Sequence, residues 1–270
     1  MAELYVNQAR EYSNARPSYP PQLFQFIASK TPSHNLVWDV ATGSGQAPKS
    51  LATLYNNVVA TDASEKQLEF ATLLHNVRYQ HTPSTMSVKS STSVRSWPNN
   101  LFISGGNLHL TSRFYGVLEQ MVSSQGTIDL VTIAQALHWF DLSTFYKQVN
   151  WVLKKPHGII ATWCYNSPRV NDAVDALHDK ENYETVDFPF GPVEGVDHTG
   201  PFEFVAETVM DFDDFLTYIR SRSSYQTSKN NGVELLKEDV IENFKLARGE
   251  DGQKTVKFQV YLRIGRVMDA

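Results

Sequence analysis

The chain has 270 residues, 41% of them hydrophobic, and a formal charge of -5. That length and apolar content support one large α/β domain or two small ones and argue against general disorder. The acidic balance and the lack of any basic run argue against nucleic acid or an anionic membrane surface as the main partner.

Residues 1–34 carry Tyr12, Arg16-Pro17 and Tyr19-Pro20-Pro21, then an amphipathic helix with Leu23, Phe24 and Ile27 on one face. The prolines predict an extended entry to that helix. Leu36 to Val40 reads as a short buried strand, and Thr42 to Gln46 as a small-residue turn. A helix follows, with Ala47, Leu51, Leu54 and Tyr55 at helical spacing and Pro48 early enough to be harmless. Strand, glycine turn and helix together predict the polar-ligand mouth of an open α/β sheet. Gly43 and Gly45 let a ligand approach the backbone without a Cβ in the way. No third glycine follows at the dinucleotide-loop spacing, and Asp39 supplies an anion that would repel a pyrophosphate but suit a cationic ligand.

Asn57 to Asp62 predicts the second strand. Asp62 lies about twenty residues past the turn, where an α/β nucleotide site places an acid for ribose hydroxyls. The alternative is that Asp62 caps a helix holding Leu68, Ala71 and Leu74, although Ser64 can cap as well. Val77 to Gln80 is a third strand. Residues 84–126 are then rich in Ser, Asn and Gly with no sustained period, and read as a long inserted loop. Thr127 to Gln135 is a near-continuous apolar strand, as expected at the centre of a parallel sheet. The next helix carries Phe145, Val149, Val152 and Leu153, and Ile159 to Tyr165 is the fifth strand. This order signals a parallel doubly wound sheet. Phe202 to Val209 reads as extended, followed by a helix with Phe215, Leu216 and Ile219. Val233, Leu236, Val240 and Phe244 form a helical stripe, and Val256 to Ile264 alternate as a long strand.

Two features together carry a family resemblance. Asp39-x-x-x-Gly43-x-Gly45 after a first strand, with Asp62 ending the second, resembles a class I S-adenosylmethionine-dependent methyltransferase. The family often has glycine where Ala41 stands. Tyr12-x-x-x-Arg16-Pro-x-Tyr-Pro and Ala134-x-x-x-His138-Trp139 resemble its plant-type small-molecule group, similar to trans-aconitate methyltransferase. The resemblance implies a Rossmann-like, mostly parallel seven-stranded sheet with an antiparallel last strand. It implies one domain over 1–270, with 1–34 as a lid, 84–126 as an insert and 166–231 as substrate-side lid segments. It implies S-adenosyl-L-methionine as cofactor, held by Asp39, Ala41, Gly43 and Gly45 on one side. Asp62, Ala63, Ala134 and Gln135 would complete that site. His138 and Trp139 would be catalytic, and Tyr12, Arg16 and Tyr225 would face the substrate. The plainer alternatives are a docked N-terminal helix for 1–34, core aromatics for Trp139 and Phe140, and a solvated helix end around Arg220 and Arg222.

Other chemistries lack their residues. Eight histidines show no His-x-x-x-His pair, and the lone Cys164 can build neither a zinc knuckle nor an intramolecular disulfide, so no metal site is expected. No Gly-x-Ser-x-Gly elbow or P-loop occurs. The N-terminal residues lack a signal-peptide run and no apolar stretch could span a bilayer, so a cytoplasmic protein without a membrane partner is expected. The oligomeric state is not legible. Methyl transfer needs little side-chain machinery, because the sulfonium already makes the methyl group electrophilic and the protein must mainly align the reactants. A carboxylate acceptor is ionised at neutral pH and needs no base, whereas a phenol or amine could use His138. Arg16 could pair a substrate carboxylate. The expected function is therefore methyl transfer to a small organic acceptor, a carboxylic acid among them. The alternative is a degenerate, non-catalytic relative acting through partner contacts; an NAD-dependent oxidoreductase fits less well.

Overall fold

The structure is a computed structural model that describes residues 18–82, 122–165, 185–249 and 252–268. Its strands are β1 (Leu36–Val40), β2 (Asn57–Asp62), β3 (Val77–His81), β4 (Leu130–Ala134), β5 (Ile159–Tyr165), β6 (Phe202–Met210) and β7 (Lys254–Arg266). They form one sheet in the order β3-β2-β1-β4-β5-β7-β6. β1 to β5 pair in parallel, and β7 is inserted antiparallel between β5 and β6. The expected mostly parallel, seven-stranded Rossmann-like sheet is therefore present. The order reverses between β1 and β4, which opens a crevice at the carboxyl ends of those strands.

Residue alternation explains the layering. On β1, Val37 packs to one side with Val58 and Leu130, beneath helices α1 (Pro21–Lys30) and α2 (Gln46–Leu51). Trp38 points the other way, with Val59 and Val131, beneath helix α4 (Leu142–Val152). With both faces covered, the central strands are apolar at nearly every position. β7 behaves differently. Val256, Phe258, Val260, Leu262 and Ile264 all enter the α1 side, which is why its period is two. On the reverse face Arg263 is buried, donating to the Val186 carbonyl at 2.9 Å and the Thr199 hydroxyl at 3.0 Å, over the Phe188 ring.

Several boundaries differ from the sequence expectation, among them the helix after the glycine turn, which ends at Leu51 and leaves Leu54 and Tyr55 beyond it. β4 begins at Leu130, not Thr127, because Asp129 is taken by other work. Its buried carboxylate accepts from the amides of Asn35 and Leu36 and pairs with Lys154, pinning the start of β1. Helix α3 (Glu65–Leu68) is a single turn that stops short of Leu74. The residues beyond it, Phe70 and Leu73, are exposed, so no apolar stripe holds a longer helix. Two further helices are α5 (Phe212–Arg220) and α6 (Ser223–Asn230). Helix α7 (Glu238–Arg248) starts after Val233 and Leu236 and leaves Phe244 exposed, so the expected stripe is only partly buried. Most of the 84–126 segment, with Tyr12, Arg16 and residues 166–184, lies outside the described residues. No helix among the described residues is long and apolar enough to cross a membrane.

Candidate active site

The glycine turn sits at the crevice. Gly43 and Gly45 have φ of 59° and 81°, and the Gly45 amide closes the turn on the Thr42 carbonyl at 3.1 Å. A Cβ on Gly45 would lie 2.7 Å from the Tyr79 hydroxyl. Glycine is required there on both counts. Two non-glycine residues also adopt left-handed backbone, Ala41 with φ 53° and Gln135 with φ 56°. They directly follow β1 and β4, on either side of the crevice, and such strain concentrates at functional sites. The left-handed geometry is a physical reason for glycine at position 41 in the resembling family. Ala41→Gly is therefore expected to stabilise the protein by about 1 kcal/mol, read as a rise of a few degrees in thermal midpoint.

Asp62 holds the turn from the side. Its carboxylate accepts from the Gly43 amide at 2.8 Å and the Ser64 amide at 2.7 Å. The helix-cap role falls to Ser64, whose hydroxyl accepts from the Gln67 amide. A carboxylate has about four lone-pair positions, so Asp62 keeps capacity for two further donors. Burial raises its pKa, while the amides of Ser64, Gly43 and Ala63 and the nearby His81 pull it back. His81 pairs with Asp62 across β3 and β2 and contacts the Ala63 carbonyl at 3.2 Å.

Asp39 lies deeper than a residue at an open mouth, at 1% exposure. One carboxylate oxygen accepts from the Thr132 hydroxyl at 2.6 Å. The other has no hydrogen-bond partner among the described residues, and neither do the Thr42 and Tyr79 hydroxyls. Burial pushes the Asp39 pKa up to about 6; the Thr132 and Thr42 hydroxyls oppose that shift, and the charge of Asp62 adds to it. The two acids thus occupy neighbouring strands and feel each other. An unpaired buried carboxylate oxygen asks for a donor or a cation.

Across the crevice, Ala134 ends β4 and the Gln135 amide donates to the Trp163 carbonyl at 2.8 Å. The chain then makes a 3-10 turn over Leu137–Trp139. His138 and Trp139 lie ring to ring with centroids 4.3 Å apart. His138 is exposed at the surface, yet partial desolvation of its ring lowers its pKa. Trp139 is half-buried and leans on the α4-side core, while Phe140 is fully in that core against Phe145. Tyr225 is elsewhere. It is buried with Leu216 and Leu236 in a satellite cluster, and its hydroxyl donates to Glu234 at 2.8 Å. The structure thus gathers Asp39, Ala41, Gly43, Gly45, Asp62, Ala63, Ala134 and Gln135 around one turn, with His138 and Trp139 just beyond β4. Tyr12 and Arg16 lie outside the described residues. Sequence reasoning missed Tyr79, Thr42 and Thr132. Only the position of Thr42 inside the turn could have signalled any of them.

No protein-family profile matches the chain. A solved structure from Anaeromyxobacter dehalogenans, described by inference as a type II methyltransferase, superposes with a TM-score of 0.66 at 22% identity. The match covers 94% of this chain and 99% of that one. The chain has the class I methyltransferase fold. A Dictyostelium discoideum protein, also named a methyltransferase by inference, is 26% identical over 96% of this chain and 92% of its own length. A Saccharomyces cerevisiae protein, named by inference an S-adenosylmethionine-dependent methyltransferase, is 26% identical over 64% of this chain. That match spans 52% of the yeast protein.

Proposed function

We propose that this protein is an S-adenosylmethionine-dependent methyltransferase acting on a small organic acceptor. The observation that carries the reading is the pair Asp39 and Asp62 flanking a left-handed glycine turn, with one buried oxygen of Asp39 lacking a hydrogen-bond partner among the described residues. The names of the Dictyostelium and yeast relatives support it. The residues fit the cofactor chemically. Asp62 can accept from both ribose hydroxyls with its remaining lone pairs, and it disfavours a 2′-phosphate. Asp39 offers negative charge to the cationic methionine half, and Gly43 admits it close to the backbone, while the space at Gly45 is taken by Tyr79. Ala41, Ala63, Ala134 and Gln135 line the same crevice.

When bound, the cofactor supplies an electrophilic methyl group on a sulfonium. The chain positions the acceptor in line with it and excludes water. Trp139 presents a ring face for a cation–π contact of about 0.5–2 kcal/mol. His138 stays neutral at physiological pH because its pKa is lowered, so its free ring nitrogen can take the proton of a phenol or amine acceptor. A carboxylate acceptor needs no such step. O-methylation of a carboxylic acid is the finer reading, with Arg16 pairing the acid and Tyr12 bounding the acceptor; Tyr225, tied to Glu234 in its own cluster, has no part in it. The small-molecule group that resembles trans-aconitate methyltransferase is its likeness, on the motifs ending at Pro20 and Trp139. In this reading all 270 residues form one domain, with 84–126 inserted between β3 and β4.

Labelled-methyl transfer across a panel of small acids, phenols and amines tests the acceptor class. Transfer to acids that survives His138→Ala supports the carboxylate reading. Transfer only to phenols or amines, lost by at least about tenfold in His138→Ala, replaces it.

A further inference from the structure

Three buried oxygens around the glycine turn lack hydrogen-bond partners among the described residues: one oxygen of Asp39, the Thr42 hydroxyl and the Tyr79 hydroxyl, the last within electrostatic reach of Asp39. They come from β1, the turn and β3. Tyr79 is opposite Ala60 in the β2–β3 register, and Ala60 is opposite Asp39 in the β1–β2 register, so both side chains rise on the same face of the sheet. The phenol hydroxyl lies 2.7 Å from where a Gly45 side chain would begin, so it braces the turn directly. A buried phenol hydroxyl and a buried carboxylate oxygen, each short of a partner among the described residues, are one donor and one acceptor. Leaving both unmade is costly, about 1–3 kcal/mol for each group.

We propose that Tyr79 is a positioning residue of the cofactor pocket, whose hydroxyl turns onto the free oxygen of Asp39 when the glycine turn closes on its ligand. The proposal rests on the methyltransferase reading above. Tyr79 does not touch the reacting atoms. It acts through Asp39, by fixing the orientation of that carboxylate and favouring its charged form in the complex. Among the described residues, the groups facing Asp39 come from three strands and the turn. From β2 comes Asp62, itself beside His81 of β3; from β3 comes Tyr79; from β4 and the turn come the uncharged hydroxyls of Thr132 and Thr42. Burial and the charge of Asp39 hold the phenol protonated, with its pKa pushed up to about 12. It is therefore a donor throughout the working range. A hydrogen bond to the charged form of an acid lowers its pKa.

The test is the pH dependence of S-adenosylhomocysteine binding to the full chain, by calorimetry, for wild type and Tyr79→Phe. Wild type is expected to lose affinity on acidification as Asp39 protonates. Tyr79→Phe is expected to move that acid limb upward by about one pH unit, matching one charge-assisted hydrogen bond. In an Asp39→Asn background the Tyr79→Phe effect should vanish. A merely structural tyrosine would change the thermal midpoint and leave the limb in place, and that result overturns the proposal alone. No binding by wild type overturns the methyltransferase reading first, and this proposal with it. A crystal structure of the wild-type complex is the second check. A hydrogen bond between the Tyr79 hydroxyl and Asp39 is expected there, and a complex without it contradicts the proposal.

Discussion

Asp62→Ala is expected to weaken binding of S-adenosylmethionine by about 100-fold or more, with the fold retained. Two ribose hydroxyls donating to one carboxylate are charge-assisted bonds, and losing both removes about 3 kcal/mol or more. The same substitution releases the Gly43 and Ser64 amides, so the turn also loses its brace. Ser64 still caps α3 through its own hydroxyl, which limits the damage to the site. Asp62→Asn separates the two contributions. Its amide oxygen can still accept from one of the two backbone donors, so it should recover part of the stability and little of the affinity. Calorimetric titration of the three proteins, with thermal melts alongside, reads both effects.

Asp39→Asn is expected to do two opposite things. In the native state the Asp39 pKa is raised from 3.8 to about 6, mainly by burial. The unfolded chain therefore gives up this proton more readily than the folded one. Below about pH 4 both states are protonated and burial carries no charge penalty. As pH rises from about 4 to about 6, the unliganded protein loses about 3 kcal/mol from this one group. Asparagine keeps an acceptor for Thr132 and turns its amide donors toward Thr42 and Tyr79, so the penalty disappears. The variant should melt about 5 °C or more above the wild type at pH 7.5 and at nearly the same temperature at pH 4. Its affinity for the cationic cofactor should fall by about 30-fold or more, because the charge partner is gone. Thermal melts at both pH values and a titration at pH 7.5 check this. A carboxylate retained at a cost to the unliganded fold is an acid placed for a ligand.

The sheet was legible because its strands carry unambiguous patterns. β1, β2 and β5 are apolar runs bounded by turn residues, and the alternation from Val256 to Ile264 marks β7 as a strand with one face in the core. The glycine turn and Asp62 were legible from spacing alone. The sequence left Asp62 poised between ribose and helix cap, and the geometry assigns the cap to Ser64. Where the sequence misled, packing overrode local pattern. Leu68, Ala71 and Leu74 are spaced as a helix, yet nothing lies over Phe70 and Leu73 to bury a longer one. Tyr79 was invisible for another reason. Its role depends on contact with Gly45, 34 residues earlier in the chain, and no local period records such a meeting. Tyr225 shows the same limit, since its hydroxyl is tied to Glu234 in a cluster that no motif announces.

The two-acid pocket is tested most directly by titrating S-adenosylmethionine into the wild-type protein in a calorimeter at neutral pH. Saturable binding to one site per chain is expected, weakening as the pH falls below about 6, where Asp39 takes up its proton. A flat titration, or affinity that does not change through that range, would contradict the account.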